Sequence, residues 1–360
     1  MRFHILSLPH THTTDQFSAC AYTNKVRFFA KMMHDLGHEV FLYGGAENAA
    51  PVTEHVVCVT EQERIDLCDG AKNNSQSIVA NWDINSPGWR HYNRRCIEEI
   101  GKRIQPRDFI CAIAGWNQKP IADAFPANMT VEFGIGYAGV FSSYRVWESY
   151  AWMHTCLGAA TGKPFDTDGR FYDQVIPGYL DPAMFPFSAE KDDYYLFIGR
   201  LIDRKGFNIA VETCKRLGKR LVVAGQGTPP EYGEYVGVVG PEKRGELMSR
   251  AQAVFVPTIY VEPFGNVAIE AQTCGTPVIT TDWGAMTETV IEGETGFHCH
   301  TLREFCEAAE AAKGLDYAAI RKHAIDNYSL PVIGKKYDKY FRRLYDLWGD
   351  GWYQMEPLAG

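Results

Sequence analysis

The stretch Val261–Glu270 reads V-E-P-F-G-N-V-A-I-E. Glu262 and Glu270 stand eight residues apart, with a Pro-Phe-Gly turn between them that opens into an apolar run. The residues before it, Ala253 to Pro257, read as a short apolar strand. Strand, tight turn and helix start in that order are how an α/β protein builds a ligand site at the carboxyl end of a strand. Gly265 lets backbone approach a ligand closely. The free N–H groups of the new helix, at Asn266 and Val267, favour negative charge in the same space. Glu270 lies about one helical turn in, at a spacing that returns it to the same mouth. Amide donors for phosphate and carboxylates for hydroxyls suit a sugar nucleotide. The bland alternative is a helix start with two solvated acids.

Working outward, Y-Y-L-F-I-G-R (Tyr194–Arg200) reads as a buried strand ending in glycine and a cation. L-I-D-R-K-G follows, and a helix is expected over Phe207–Leu217. Arg200, Arg204 and Lys205 at this strand-to-helix turn suit a diphosphate clamp, since Arg binds bidentately and Lys acts as a point charge. Three solvated cations are the simpler reading. Further strands are expected at Arg220–Ala224, Tyr235–Val239 and Pro277–Thr281, with helices at Glu242–Arg250, Thr301–Ala312 and Tyr317–Asp326. Ser329–Trp348 predicts a long final helix, or two, with Tyr337, Tyr340, Phe341, Leu344 and Leu347 as its apolar stripe.

The first half repeats the strand–helix–strand order. Arg2–Leu8 predicts a strand. Tyr22, Val26, Phe29, Met33 and Leu36 then keep a 3.6 period up to Gly37, and Glu39–Tyr43 is the next strand. Lys25, Arg27 and Lys31 are expected on the solvated side of that helix. Val56–Thr60, Asp108–Ala114, Met129–Phe133 and Tyr172–Ile176 read as strands, Ser86–Ile104 and Arg145–His154 as helices. The loop H-T-H-T-T-D after the first strand offers His10, Thr13 and Asp15 to a sugar. His10 and His12 lack a third partner for a metal. Trp116, Asn117 and Tyr137 stand at later strand ends and are further candidates for sugar or acceptor contacts.

The chain has 360 residues, 46% hydrophobic and 22% charged, which predicts a soluble protein of two domains. Its net charge of −8 offers no general attraction for nucleic acid or anionic membranes. Ten scattered cysteines without a C-x-x-C pair point to reduced thiols in the cytoplasm. No signal peptide and no run long enough to span a bilayer is read.

The second half resembles the retaining glycosyltransferases of family 4, which have the GT-B fold. The resemblance runs from about Tyr194 to Phe297 through F-I-G-R-L-I-D-R-K-G, V-V-A-G-Q-G, E-P-F-G-N-V-A-I-E-A, C-G-T-P-V-I-T-T and G-E-T-G-F, in the family's order. It implies an α/β protein of two Rossmann-like doubly wound domains facing each other across a cleft. Residues 1–178 would form the acceptor side and 179–328 the nucleotide-sugar side. Residues 329–360 would return as helix and tail to the first domain. It also implies that Arg200 and Lys205 hold the donor diphosphate, Glu262 the transferred sugar and Glu270 the ribose. Gly199, Gly225 and the backbone of Phe264, Gly265, Asn266 and Val267 would contact sugar and phosphate. No cofactor or metal is implied, only a nucleotide-diphosphate sugar, UDP or GDP first. The acceptor would be a glycan, a lipid-linked glycan or a small molecule. The first half departs from the family, having H-T-H-T-T-D where many members carry a glycine pair. Alternatives are an inactive sugar-nucleotide-binding protein, or an epimerase or phosphorylase on the same fold.

Overall fold

The computed structural model describes residues 1–70, 73 and 78–350. Two compact units emerge. One joins Met1–Trp147, Asp168–Ile176 and Ile333–Gly360; the other joins Glu148–Thr167 and Pro177–Val332. The tail 351–360, expected to pack on the first half, lies outside the described residues.

The first unit holds β1 (Arg2–Leu6), β2 (Glu39–Gly44), β3 (Glu54–Val57), β4 (Phe109–Ala112), β5 (Thr130–Ile135), β6 (Tyr144–Trp147) and β7 (Asp173–Val175). They form one sheet in the order β3-β2-β1-β4-β5-β6-β7, and every pairing is parallel. Its helices are α1 (Ala21–Asp35), α2 (Glu61–Leu67), α3 (Pro87–Gly101) and α4 (Lys119–Ala124). The second unit adds α5 (Tyr150–Thr161) and a six-stranded parallel sheet. Its strands are β8 (Tyr195–Ile198), β9 (Leu221–Ala224), β10 (Glu234–Tyr235), β11 (Val254–Val256), β12 (Val278–Thr280) and β13 (Gly296–His298). Their order is β10-β9-β8-β11-β12-β13. Its further helices are α6 (Phe207–Leu217), α7 (Pro241–Arg250), α8 (Asn266–Thr273), α9 (Met286–Thr289), α10 (Leu302–Ala311) and α11 (Tyr317–Tyr328). The last helix, α12 (Leu330–Asp350), belongs to the first unit from Ile333 on.

Both sheets start in the middle, wind one way, then return to wind the other. The strands are apolar on both faces because helices cover both. In the second unit, Leu196, Ile198, Val222, Val254 and Val278 face one core and Tyr195, Phe197, Val223, Phe255 and Ile279 the other. Among the described residues no helix is long and apolar enough to cross a membrane. The ten cysteines are free, and all but Cys156 and Cys306 are buried.

Three local expectations give way. Arg145–His154 is not one helix: Tyr144–Trp147 pairs in parallel with β5 and β7, and the helix starts only after Ser149. Ser149 Oγ accepts from Trp152 N at 3.0 Å, a capping bond that fixes the boundary. Glu288 then accepts from the N–H groups of Tyr150 and Ala151 at 3.0 and 2.8 Å, which ties α5 into the second unit. Lys25 is buried rather than solvated, and donates to the Gly134 carbonyl at 3.0 Å. The strand expected at Tyr235–Val239 shrinks to the two-residue β10. Helix α2 was not foreseen, although Thr60 and Glu63 form a full capping box at its start.

Candidate functional site

In the second sheet, β8 leads to β9 on one side while its neighbour β11 leads to β12 on the other. Loops leaving the carboxyl ends of such a pair diverge and leave a crevice, the usual ligand position in an open α/β sheet. Here the loops are Gly199–Gly206 and Pro257–Gly265, the two stretches the sequence singled out.

The loops are pinned together. Gly206 has φ +72°, and a Cβ there would stand 1.9 Å from the Pro257 carbonyl oxygen. Ile259 N donates to Arg204 O at 3.0 Å. A Cβ on Gly225 would meet the Gly199 carbonyl oxygen at 1.7 Å, so these two glycines stand back to back at the ends of β9 and β8.

This packing brings Lys205 Nζ to 2.6 Å from the Glu262 carboxylate, with both side chains mostly buried. Tyr260 lies beneath them: the Arg204 guanidinium sits 4.1 Å and Lys205 Nζ 5.1 Å from its ring centroid. Burial, then the Glu262 carboxylate beside it, raise the Tyr260 hydroxyl above the ordinary phenol range, while Arg204 and Arg200 pull the other way. Arg200 itself is exposed. Tyr260 belongs to no motif legible in the sequence, although it lies two residues before Glu262.

Glu262 is also held by its backbone, because Ala285 N donates to its carbonyl at 3.2 Å. Gly265 follows at φ +84° as the N-cap of α8, and no side chain caps that helix. Ala268 N donates to Gly265 O at 2.9 Å, and no N-cap side chain takes the amides of Asn266 and Val267 before it. The Phe264 side chain turns away into the core, edge-on to Tyr328 at 5.9 Å, so only its backbone is left for a ligand. The Glu270 carboxylate is paired with Arg244 of α7. Burial raises Glu270 above the ordinary carboxylate range, and Arg244 offsets part of that rise.

The first unit repeats the geometry at the β1/β4 switch point. Trp116, Asn117 and Tyr137 gather around a cavity of about 380 Å³, together with Tyr22 and Trp82. His10 stands edge-on to Trp82, ring centroids 5.7 Å apart, but is itself buried. Burial first, then Arg64, bring His10 down to about 4. Thr13 and Asp15 do not line the cavity: the Thr13 hydroxyl bonds Ser7 Oγ at 2.9 Å, and Asp15 opens an exposed 3-10 turn. His12 bonds Glu61 at 2.8 Å.

Behind Tyr137 lies Glu132, fully buried on β5. It accepts from Ser142 N at 2.7 Å, Phe141 N at 2.9 Å and the Tyr137 hydroxyl at 3.2 Å. Burial still wins, and lifts its carboxyl from 4.5 to about 7. Between those values the folded chain keeps a proton that the unfolded chain releases, so stability falls as pH rises through this window and then levels. Set against Glu132→Gln, whose amide satisfies the same partners, the wild type should lose about 3 kcal/mol across that window. Urea midpoints of both proteins at several pH values measure it. A gap that stays constant with pH would mean the carboxyl is ionised throughout.

Residues 184–318 match the model of the family Glycosyl transferases group 1. That match lies within the second unit. A glycogen synthase of Mycobacterium tuberculosis is 33% identical over 174 residues, covering 42% of this chain and 42% of that protein. The chain thus spans about two fifths of the length of the curated relatives it matches. Among solved structures, AviGT4, a glycosyltransferase involved in avilamycin A biosynthesis, superposes with a TM-score of 0.69 at 22% identity. That match covers 98% of this chain and 100% of AviGT4. Anabaena HepE in complex with UDP and glucose gives a TM-score of 0.62 at 15% identity, over 95% and 99% of the two chains. The fold is GT-B.

Proposed function

We propose that this chain is a retaining glycosyltransferase of family 4 type. It moves a sugar from a nucleotide-diphosphate donor, UDP or GDP first, to the hydroxyl of a glycan, a lipid-linked glycan or a small molecule in the cytoplasm. The observation that carries the reading is the Lys205–Glu262 pair at the switch-point crevice, 2.6 Å apart beside the uncapped start of α8. A cation and free amides suit a diphosphate, while a carboxylate at the same place suits sugar hydroxyls.

Arg200, Lys205 and the opening amides of α8 take the charge that grows on the departing diphosphate. Fixed donors aimed at developing charge lower a barrier without rearranging, so the step uses no metal. Glu262 holds the donor sugar and Glu270 the ribose, with Arg244 orienting the Glu270 carboxylate. The acceptor hydroxyl attacks the anomeric carbon from the face the diphosphate leaves. Its proton passes to the departing phosphate oxygen, and configuration is retained.

Incubation with UDP-, GDP- and ADP-sugars, followed for nucleotide release and for the anomeric configuration of the product, tests this. Release from one donor class with a retained product is expected. A product of inverted configuration, or binding of every donor without turnover, would exclude the reading.

A further inference from the structure

We infer that the aromatic pocket of the first unit takes an uncharged ring of the acceptor, one with an apolar face such as a neutral sugar or a phenol, and not a phosphorylated group. The acceptor role rests on the transfer reading above; the binding does not.

The lining decides the chemistry. Tyr22, Trp82, Trp116 and Tyr137 form the walls, Asn117 supplies one amide, and Ile113, Ala114, Ala138 and Gly139 complete the surface. None of these is ionic. Phosphate recognition calls for Arg, Lys or a fan of helix amides. The two nearby lysines lie on aromatic rings and are already engaged. Lys25 Nζ is 5.2 Å from the Tyr22 centroid and bonds Gly134 O at 3.0 Å. Lys119 Nζ is 6.0 Å from the Trp116 centroid and bonds Asp123 at 2.5 Å. A phosphate entering here would shed water and gain no cation in return.

The walls suit a ring because they are fixed and stand at right angles. Tyr22 lies 5.8 Å from Trp82 and 5.8 Å from Tyr137, at 77° and 73°. Asn117 Nδ2 donates to Trp82 O at 3.1 Å, and Asn93 Nδ2 to Asn117 O at 2.8 Å. Trp116 N donates to Gly139 O at 2.9 Å, and Gly115, at φ +56°, lets these backbones close to where a Cβ would stand 2.5 Å from Gly139 O. The Tyr137 hydroxyl is anchored on Glu132. Walls ordered beforehand leave less entropy to be lost on binding. Yet Trp82 and Trp116 remain 45% and 50% exposed, a large area of indole held at the surface. Exposed apolar patches of this kind mark binding sites. The volume, about 380 Å³, lies at the small end of ligand pockets, roughly 300–1,000 Å³.

Calorimetric titration of the whole chain, without donor, uses three probes: methyl α-glucopyranoside, hydroquinone and glucose 1-phosphate. One neutral ring should bind, and which of the two binds names the source. Trp116→Ala and Tyr137→Ala should each weaken it about fivefold or more, the loss expected for one ring stack. Phe165→Ala, a fully exposed residue of the other unit, should change nothing. Tighter binding of the phosphate, no binding of either neutral ring, or binding that Trp116→Ala leaves intact would overturn the assignment. Ring binding without turnover of any donor would count against the transfer reading alone.

Discussion

Gly206→Ala should destabilise the chain by about 3 kcal/mol or more and weaken nucleotide diphosphate binding at least tenfold, whereas Gly218→Ala should cost only about 1 kcal/mol. Both glycines have left-handed backbones, at φ +72° and +61°. An L-residue pays a similar conformational penalty at either. The surroundings differ. A Cβ on Gly218 meets nothing within 4 Å, while one on Gly206 would lie 1.9 Å from the oxygen and 2.8 Å from the carbon of the Pro257 carbonyl. That neighbour is backbone at the end of β11, with no rotamer to yield. The loop must lift, which breaks the Ile259 N to Arg204 O bond and draws Lys205 off Glu262. Urea midpoints and calorimetric titration of UDP and GDP for the two variants give the comparison. Equal losses would show that the contact with Pro257 does not position the loop.

The same contact shows what a sequence can and cannot tell. A glycine ending D-R-K-G before a helix is visible as a left-handed turn; that it lies against Pro257, some fifty residues on, is not. The fold was legible because parallel strands buried on both faces read as unbroken apolar runs. β8, β9 and β11 fell within a residue or two of their expected ends, and α6 at its expected ends. Arg145–His154 misleads because three strand residues and a helix start share one aromatic-rich stretch, and only the Ser149 cap divides them. In the second unit, Lys205 and Glu262 stand out in the sequence as separate candidates, and the structure brings them together. The Arg244–Glu270 pair was hidden, because it joins two helices whose contact depends on sheet packing. In the first unit Trp116, Asn117 and Tyr137 were marked by their places at strand ends. Trp82 and Tyr22 were not, since one lies in an irregular segment and the other looked like part of a core stripe. Lys25 misled for the same reason: helical period assigns a face but not the length a side chain will reach, here to the carbonyl of Gly134.

Glu262→Ala should lower transfer by two to three orders of magnitude, the cost of one preorganised polar contact in a catalytic site, while nucleotide diphosphate binding holds or tightens. The sign of the binding effect follows from the pairing. Lys205 Nζ donates to Glu262 at 2.6 Å, and the same ammonium is the proposed partner of the diphosphate. Carboxylate and phosphate therefore compete for it. Removing the carboxylate frees the cation; an exposed pair is worth roughly 0.2–1 kcal/mol, and that range sets the scale here. UDP or GDP should bind up to about fivefold more tightly. Lys205→Ala removes the opposite partner and should weaken the diphosphate about tenfold or more, because a charge-assisted bond is lost. A purely structural ion pair predicts something else: both variants would lose similar stability, and neither would shift nucleotide affinity. The two readings thus differ in the sign of a binding change that calorimetry measures directly. If Glu262→Ala weakens UDP and GDP as much as Lys205→Ala does, the carboxylate positions the lysine, and its proposed contact with the donor sugar is wrong.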